Sequence, residues 1–109
     1  MASYAVNAGE IAAHDKTLTA ATVDTVTLTD AFGAVEVLTD GASAVYVSVD
    51  GSTPTVSGAK TYRIPASGTQ VRTIALGDGP VSGALIKLIS TGTPTYSVTG
   101  LRNRTVVVG

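Results

Sequence analysis

The chain has 109 residues and a mass of 10.9 kDa, which is the size of a single domain. Charged residues make up 14% of it and aromatic residues 5%, whereas charged residues usually account for about a quarter. The sequence contains no cysteine and has a formal charge of −1 without a run of either sign. Composition therefore excludes a disulfide scaffold and a thiolate metal site, and it gives no support for binding to nucleic acid or a membrane.

The N-terminal segment, residues 1–14, is expected to be a short arm outside the folded core. The stretch from Ala8 to Lys16 contains some alanine and charge, but it is short and includes Gly9, so the segment supports a turn of helix or an extended arm. It lacks a basic stretch followed by an apolar one, and we expect no signal peptide. Residues 15–109 are predicted to form one domain.

From residue 17 onward, apolar residues alternate with polar ones, and Gly, Pro and Asp separate the alternating runs. This period of two is typical of half-buried β-strands. In chain order, the predicted strands cover residues 22–29, 35–38, 45–49, 61–64, 70–76, 85–90, 95–99 and 105–108. The predicted core consists of Val26, Leu28, Val45, Val47, Val49, Ile64, Ile74, Ile86, Leu88 and Val98.

About eight short strands at intervals near ten residues predict an all-β fold. We expect an antiparallel β-sandwich, either immunoglobulin-like or jelly-roll in style. The threonine-rich strands carry few charges that would protect an open sheet edge. This pattern favours a protein whose edges are covered by partners.

The residues that catalysis and metal binding use are sparse and scattered. His14 is the single histidine, and the aspartates do not cluster; Asp40 and Asp50 each precede glycine, which is typical of turns. Glycines 77, 79 and 83 do not have the spacing of a phosphate loop. We therefore predict that the chain is not an enzyme and uses no cofactor or metal.

Tyr46, Tyr62 and Tyr96 each fall within a predicted strand. Packing in the core with a hydrogen-bonded hydroxyl is the simpler interpretation. The alternative is that one or two of these rings point outward as interface anchors or as a platform for sugars.

Several runs of the sequence resemble the small β-sandwich structural proteins of tailed bacteriophages. They are Val45-Tyr-Val-Ser-Val-Asp-Gly51, Pro54-Thr55 with Gly58, Tyr62-Arg-Ile-Pro65 with Gly68, Ile86-Lys-Leu-Ile-Ser90 with Gly92, and Tyr96-Ser-Val-Thr-Gly100. The resemblance covers about residues 20–100. It implies a non-enzymatic virion protein: a capsid decoration protein, a head fibre or a tail component.

Within that class, we expect a capsid decoration (cement) protein that bridges capsid subunits and stabilises the head. It would be made in the host cytoplasm, reside on the capsid surface, contact the major capsid protein or another virion protein, and form a homo-oligomer, with a trimer favoured. A tail, baseplate or head–tail connector protein is the alternative, and a carbohydrate-binding module is the alternative from another class. Because the arm and the loop 52–60 are predicted outside the strands, the expected contact residues are Tyr4, Asn7, Glu10, His14, Pro54 and Lys60.

Overall fold

The computed structural model describes residues 2–77 and 81–102, and over these residues the chain forms nine strands and no helix. The strands build two packed sheets, which confirms the predicted β-sandwich. Their bounds are β1 (Ser3–Val6), β2 (Ala12–Thr17), β3 (Asp24–Leu28), β4 (Ala34–Thr39), β5 (Val45–Ser48), β6 (Tyr62–Ile64), β7 (Gln70–Ala75), β8 (Ala84–Ser90) and β9 (Thr95–Leu101).

Strands β2 to β9 pair as one long antiparallel hairpin that is rolled into two sheets. β2 pairs with β9, β3 with β8, β4 with β7, and β5 with β6. Lateral pairing of β4 with β9 and of β5 with β8 completes the orders β2-β9-β4-β7 and β3-β8-β5-β6. This connectivity is that of a jelly roll, one of the two sandwich styles that the sequence predicts.

The N-terminal segment is part of the sandwich, and the expectation of an arm outside the core is wrong for it. β1 lies parallel to β3 at the edge of the five-stranded sheet, and Val6 is fully buried. β2 is an edge strand of the four-stranded sheet and buries Ala13. The alternation was hidden because β1 has only four residues, and because a bulge between Ala13 and Lys16 breaks the period of β2.

Seven of the predicted strands are confirmed, while the one predicted at 105–108 lies outside the described residues. Nine of the ten predicted core residues are buried between the sheets, and the tenth, Val49, is partly buried against the same cluster. The core also contains Leu18, Phe32 and Tyr96. Many small β-branched side chains therefore fill it, each contributing roughly 1.5–3 kcal/mol when fully buried.

The β5–β6 loop, residues 49–61, lies beside the outer face of the five-stranded sheet. Tyr46 and Ser48 alternate with core residues Val45 and Val47, so they point away from the core, yet both are buried. The Ser57 hydroxyl donates to the Tyr46 hydroxyl at 3.3 Å, which ties the loop to this face.

Candidate interaction surfaces

Three of the predicted contact residues lie exposed along the edge that β1 and β2 share. Asn7 and Glu10 form a tight turn between these strands: the Asn7 N–H donates to Glu10 Oε1 at 2.8 Å, and the Glu10 N–H donates to the Asn7 carbonyl at 2.9 Å. His14 is exposed on β2. Tyr4 is half-buried, with the Lys16 ammonium 4.6 Å from its ring centroid. The turn is thus held in one conformation at an open edge.

The other two predicted contact residues do not join this surface. Pro54 is buried, so its ring is unavailable to a partner. Lys60 is exposed just before β6, and β6 is at the opposite edge of the five-stranded sheet from β1. The sequence predicts Pro54 as an exposed contact residue in a free loop, but the loop folds back onto its own sheet and buries it.

An exposed apolar residue, Ile11, lies between the Asn7–Glu10 turn and β2. Its side chain is 55% exposed, while its carbonyl accepts a hydrogen bond from the Gly100 N–H at 2.7 Å. The backbone is therefore fixed and the side chain projects from the edge. Sequence reasoning overlooked Ile11 because a single apolar residue in a presumed arm shows no periodicity.

A recess lies against the four-stranded sheet, where the bulge of β2 meets β9 and β4. At the bulge, Asp15 has a φ of 55°, and its N–H donates to Ser97 Oγ at 3.0 Å. Asp is one of the few side chains that tolerate this left-handed conformation. The recess has a volume of about 160 Å³ and is lined by Asp15, Leu38, Thr39, Asp40, Thr69, Thr95, Tyr96 and Ser97. We call it the acidic recess.

Thr39, at the end of β4 beside the acidic recess, has an unsatisfied polar atom. Thr39 is 1% exposed, and among the described residues its Oγ1 has no hydrogen-bond partner. An unpaired buried hydroxyl costs free energy. Thr39 pairs with Tyr96 across β4 and β9, so its side chain faces the core and the hydroxyl is not offered to the recess.

A second group of residues, the basic patch, consists of Lys60, Tyr62, Arg63 and Arg72 in and next to β6 and β7. Lys60 borders a depression that Asp50 also lines, and a hydrogen bond from the Arg63 side chain helps to lower the pKa of Tyr46, after the bond from Ser57. The Arg72 guanidinium lies 5.2 Å from the Tyr62 ring centroid and donates to the Arg63 carbonyl at 3.3 Å. In residues 2–77 and 81–102 the single ion pair joins Arg102 to Asp30. The three cations of the basic patch therefore have no carboxylate partner within that part of the chain.

Hydrogen bonds to Asp50 hold the start of the β5–β6 loop. Its Oδ1 accepts from the Ser52 hydroxyl at 2.5 Å, the Ser52 N–H at 3.0 Å and the Ser48 hydroxyl at 3.0 Å. These bonds, from Ser52 first, lower the pKa of Asp50 to about 2. Asp40 likewise accepts from the Ala42 N–H at 3.0 Å. Both aspartates act as turn residues, as the sequence predicts.

Within the described residues, no group of three or more His, Cys, Asp or Glu side chains is placed to hold a metal ion. The same part of the chain has no helix of the length and hydropathy needed to span a membrane. Comparison of the chain with protein-family models, curated proteins and solved structures gives no match.

Proposed function

We propose that the chain is a non-enzymatic structural protein of a bacteriophage virion, and that it decorates the capsid and stabilises it by bridging capsid subunits. The proposal rests on the sequence resemblance described above together with the jelly-roll sandwich. A jelly-roll sandwich is compatible with many roles, and function depends on the surface residues that it carries.

The observation that carries the proposal is the exposed Ile11 on the β1–β2 edge. Asn7, Glu10 and His14, which are polar and exposed, lie in the same segment on either side of Ile11 in the sequence. An apolar centre with a polar rim is the usual composition of a protein–protein interface. Because the turn and the Ile11 backbone are hydrogen-bonded in place, little conformational entropy is lost when a partner binds.

The proposed mechanism is geometric. A rigid sandwich that contacts two neighbouring capsid subunits adds interface area across their junction. If the chain forms an oligomer such as a trimer, each copy supplies a contact and the contacts act together, so that overall binding exceeds that of a single copy.

Co-sedimentation with undecorated capsids of the phage that encodes the chain tests the proposal. Ile11→Asp places a charge at the centre of the proposed interface, and we expect it to weaken capsid binding by at least about tenfold. Val56→Asp is the matched control, because Val56 is also an exposed apolar residue but lies in the β5–β6 loop. Equal binding by Ile11→Asp and the native protein would contradict the proposed contact.

An electron-microscopy map of the particle separates this proposal from its alternative within the virion class. Many copies over the shell support decoration, whereas a few copies at a vertex or along the tail indicate a tail, baseplate or connector protein. A deletion of residues 2–14 is unsuitable as a test because it would remove β1 and half of β2.

A carbohydrate-binding module is the second candidate, and the exposed ring of Tyr62 favours it. Tyr62 is 38% exposed beside Arg72, whereas Tyr46 is only 8% exposed and offers no platform. A glycan array with the isolated protein tests this function. Specific binding that Tyr62→Ala abolishes would replace capsid decoration as the conclusion.

A further inference from the structure

We propose that copies of this chain bind one another by strand addition, with residues 105–108 of one copy pairing with the free edge of β7 in the next. The occupant of that edge is thus a second copy of the chain, and the donated segment lies outside the described residues. The inference concerns the isolated protein and does not depend on the presence of a capsid.

Among the described strands, β7 is the least protected sheet edge. Natural edge strands are usually protected by shortness, bulges or charges. β1 and β6 have four and three residues, and β2 contains a bulge with charged side chains. β7 has six residues that pair with β4 without a register shift. Its one charged residue, Arg72, pairs with Val37 and contacts the Tyr62 ring, so this charge lies on the side that faces β6.

The backbone of β7 offers hydrogen-bonding groups on its free side. The Leu76 N–H donates at 3.0 Å to the carbonyl of Gly33, directly before β4. The direction of the N–H and C=O groups alternates along a strand. Those of Ile74 therefore also face β4, and those of Val71 and Thr73 face the free side. A strand beside β7 can bond to these outward residues, which is how an extended segment adds to a sheet edge.

The outer face of the sheet beside this edge is apolar. Leu38 on β4 pairs with Val71 on β7, and their side chains are 36% and 56% exposed. Residues 105–108 are Thr-Val-Val-Val, so an added strand carries a valine on each of its two faces. In either register, a valine beside Val71 buries apolar area on both partners.

The donated segment is poorly placed to pair with edges of its own chain. β9 is paired on both sides, with β2 and β4, so no position beside it is open. The four residue steps from Leu101, where β9 ends, to residue 105 span at most about 14 Å. The free side of β7 is three strand spacings from β9, also about 14 Å, so only a straight path without a turn would reach it. The free side of β2 is nearer, but its bulge and charges oppose strand addition.

Each copy has one segment to donate and one edge that accepts it. The two are different parts of the molecule, so the contact is heterologous, and a closed ring satisfies every donor and every acceptor. Strand addition also covers an open sheet edge, which agrees with the expectation from the sequence that partners cover the edges.

Sedimentation velocity of the isolated protein over a concentration series tests the inference with two variants. A chain that ends at Arg104 lacks the donated segment. Thr73→Pro removes an N–H from the free side of β7 and none from its pairing with β4. We expect each variant to weaken self-association by about tenfold or more. If Thr73→Pro does not fold, Val71→Lys replaces it, because a lysine at the edge opposes strand addition.

Ala5→Pro is the matched control on another edge strand. β1 accepts hydrogen bonds from β3 at the carbonyls of Ala2 and Val6, so the same alternation places the Ala5 N–H on the free side of β1. This control should associate like the native protein. Circular dichroism and thermal unfolding first establish that each variant is folded.

A mixture of the two variants gives the decisive result. The truncated chain keeps an intact edge and Thr73→Pro keeps an intact segment, so we expect each to stay monomeric alone and the mixture to contain a complex of one copy of each. A native protein that stays monomeric, or a mixture without this complex, would overturn the inference. A truncated chain that associates as strongly as the native protein would also overturn it and would indicate that two edges pair directly. Capsid binding is measured separately, so none of these results decides the proposed function.

Discussion

At the scale of single residues, the hydrogen bond between Tyr96 and Asp24 joins the two sheets inside the core. The Tyr96 hydroxyl donates to Asp24 Oδ2 at 3.0 Å, and both residues are 1% exposed. Asp24 Oδ1 also accepts from the Ala2 N–H at 3.2 Å. Burial, followed by the charge of Asp24, raises the pKa of Tyr96 far above its ordinary value. A buried carboxylate is tolerated here because each of its oxygens has a donor.

Tyr96→Phe is expected to lower the free energy of unfolding by about 1–3 kcal/mol, because it leaves a buried carboxylate oxygen without its donor. Tyr62→Phe is the control, since Tyr62 is exposed and the same oxygen atom is removed at the surface. Urea unfolding at pH 7 measures both. Equal stability of Tyr96→Phe and Tyr62→Phe would contradict the importance of the buried bond.

The same variant gives a pH dependence with a definite sign. Below about pH 10 the Tyr96 hydroxyl is protonated in both the folded and the unfolded chain, and it makes its full contribution to the free energy of unfolding. Above that pH the unfolded chain ionises while Tyr96 in the folded chain stays neutral, so stability falls as pH rises. The fall between about pH 10 and 11 should be shallower for Tyr96→Phe than for the native protein. If the free energy of unfolding falls equally steeply with pH in the native protein and in Tyr96→Phe, the raised pKa of Tyr96 is contradicted.

Single-residue patterns explain why the core was predicted and most of the surface sites were not. Val45 and Val47 follow a period of two, and the sheets bury that face. Asp24 and Thr39 are buried polar residues, and nothing in their local sequence distinguishes them from solvated ones. Asp15 on β2 and Asp40, just after β4, line the same recess because β9 pairs with both strands and lies between them. Only this tertiary pairing brings the two residues to one surface.

At the scale of strands, β1 and β2 show what a local pattern cannot predict. Each is short, and β1 is stabilised by pairing with β3, about twenty residues away. The bulge that hides β2 in the sequence is also what turns Asp15 toward the acidic recess. The strand that sequence reasoning missed therefore helps to build this recess.

The role of β1 can be measured with Val6→Ala. Val6 is fully buried, and we expect the substitution to lower the free energy of unfolding by about 2 kcal/mol through lost burial and a small cavity. Ala5→Ser is the control on the same strand, because Ala5 is exposed. If the segment were an arm, both variants would unfold at the denaturant concentration of the native protein.

At the scale of the whole molecule, charge is distributed unevenly along the chain. Residues 1–50 contain seven of the eight acidic residues and one of the seven basic residues. Every pair of the rolled hairpin joins a strand of this acidic half to a strand of the basic half. The net charge of −1 conceals this asymmetry. It favours the pairing of the two halves over pairing within either half, since like charges repel and opposite charges attract.

Refolding should therefore depend on salt. The strands that pair are far apart in sequence, as in the contact between Asp15 and Ser97 across 82 positions, so folding requires closure of long loops and is expected to take milliseconds to seconds. Electrostatic attraction between the two halves assists that closure. Added salt screens this attraction, since the Debye length falls to about 3 Å at 1 M. We therefore expect the refolding rate to fall severalfold as NaCl rises from low concentration to about 0.5 M. Stopped-flow measurements, with the unfolding rate as an internal control, test this. Refolding that is equally fast or faster in salt would show that burial alone brings the halves together.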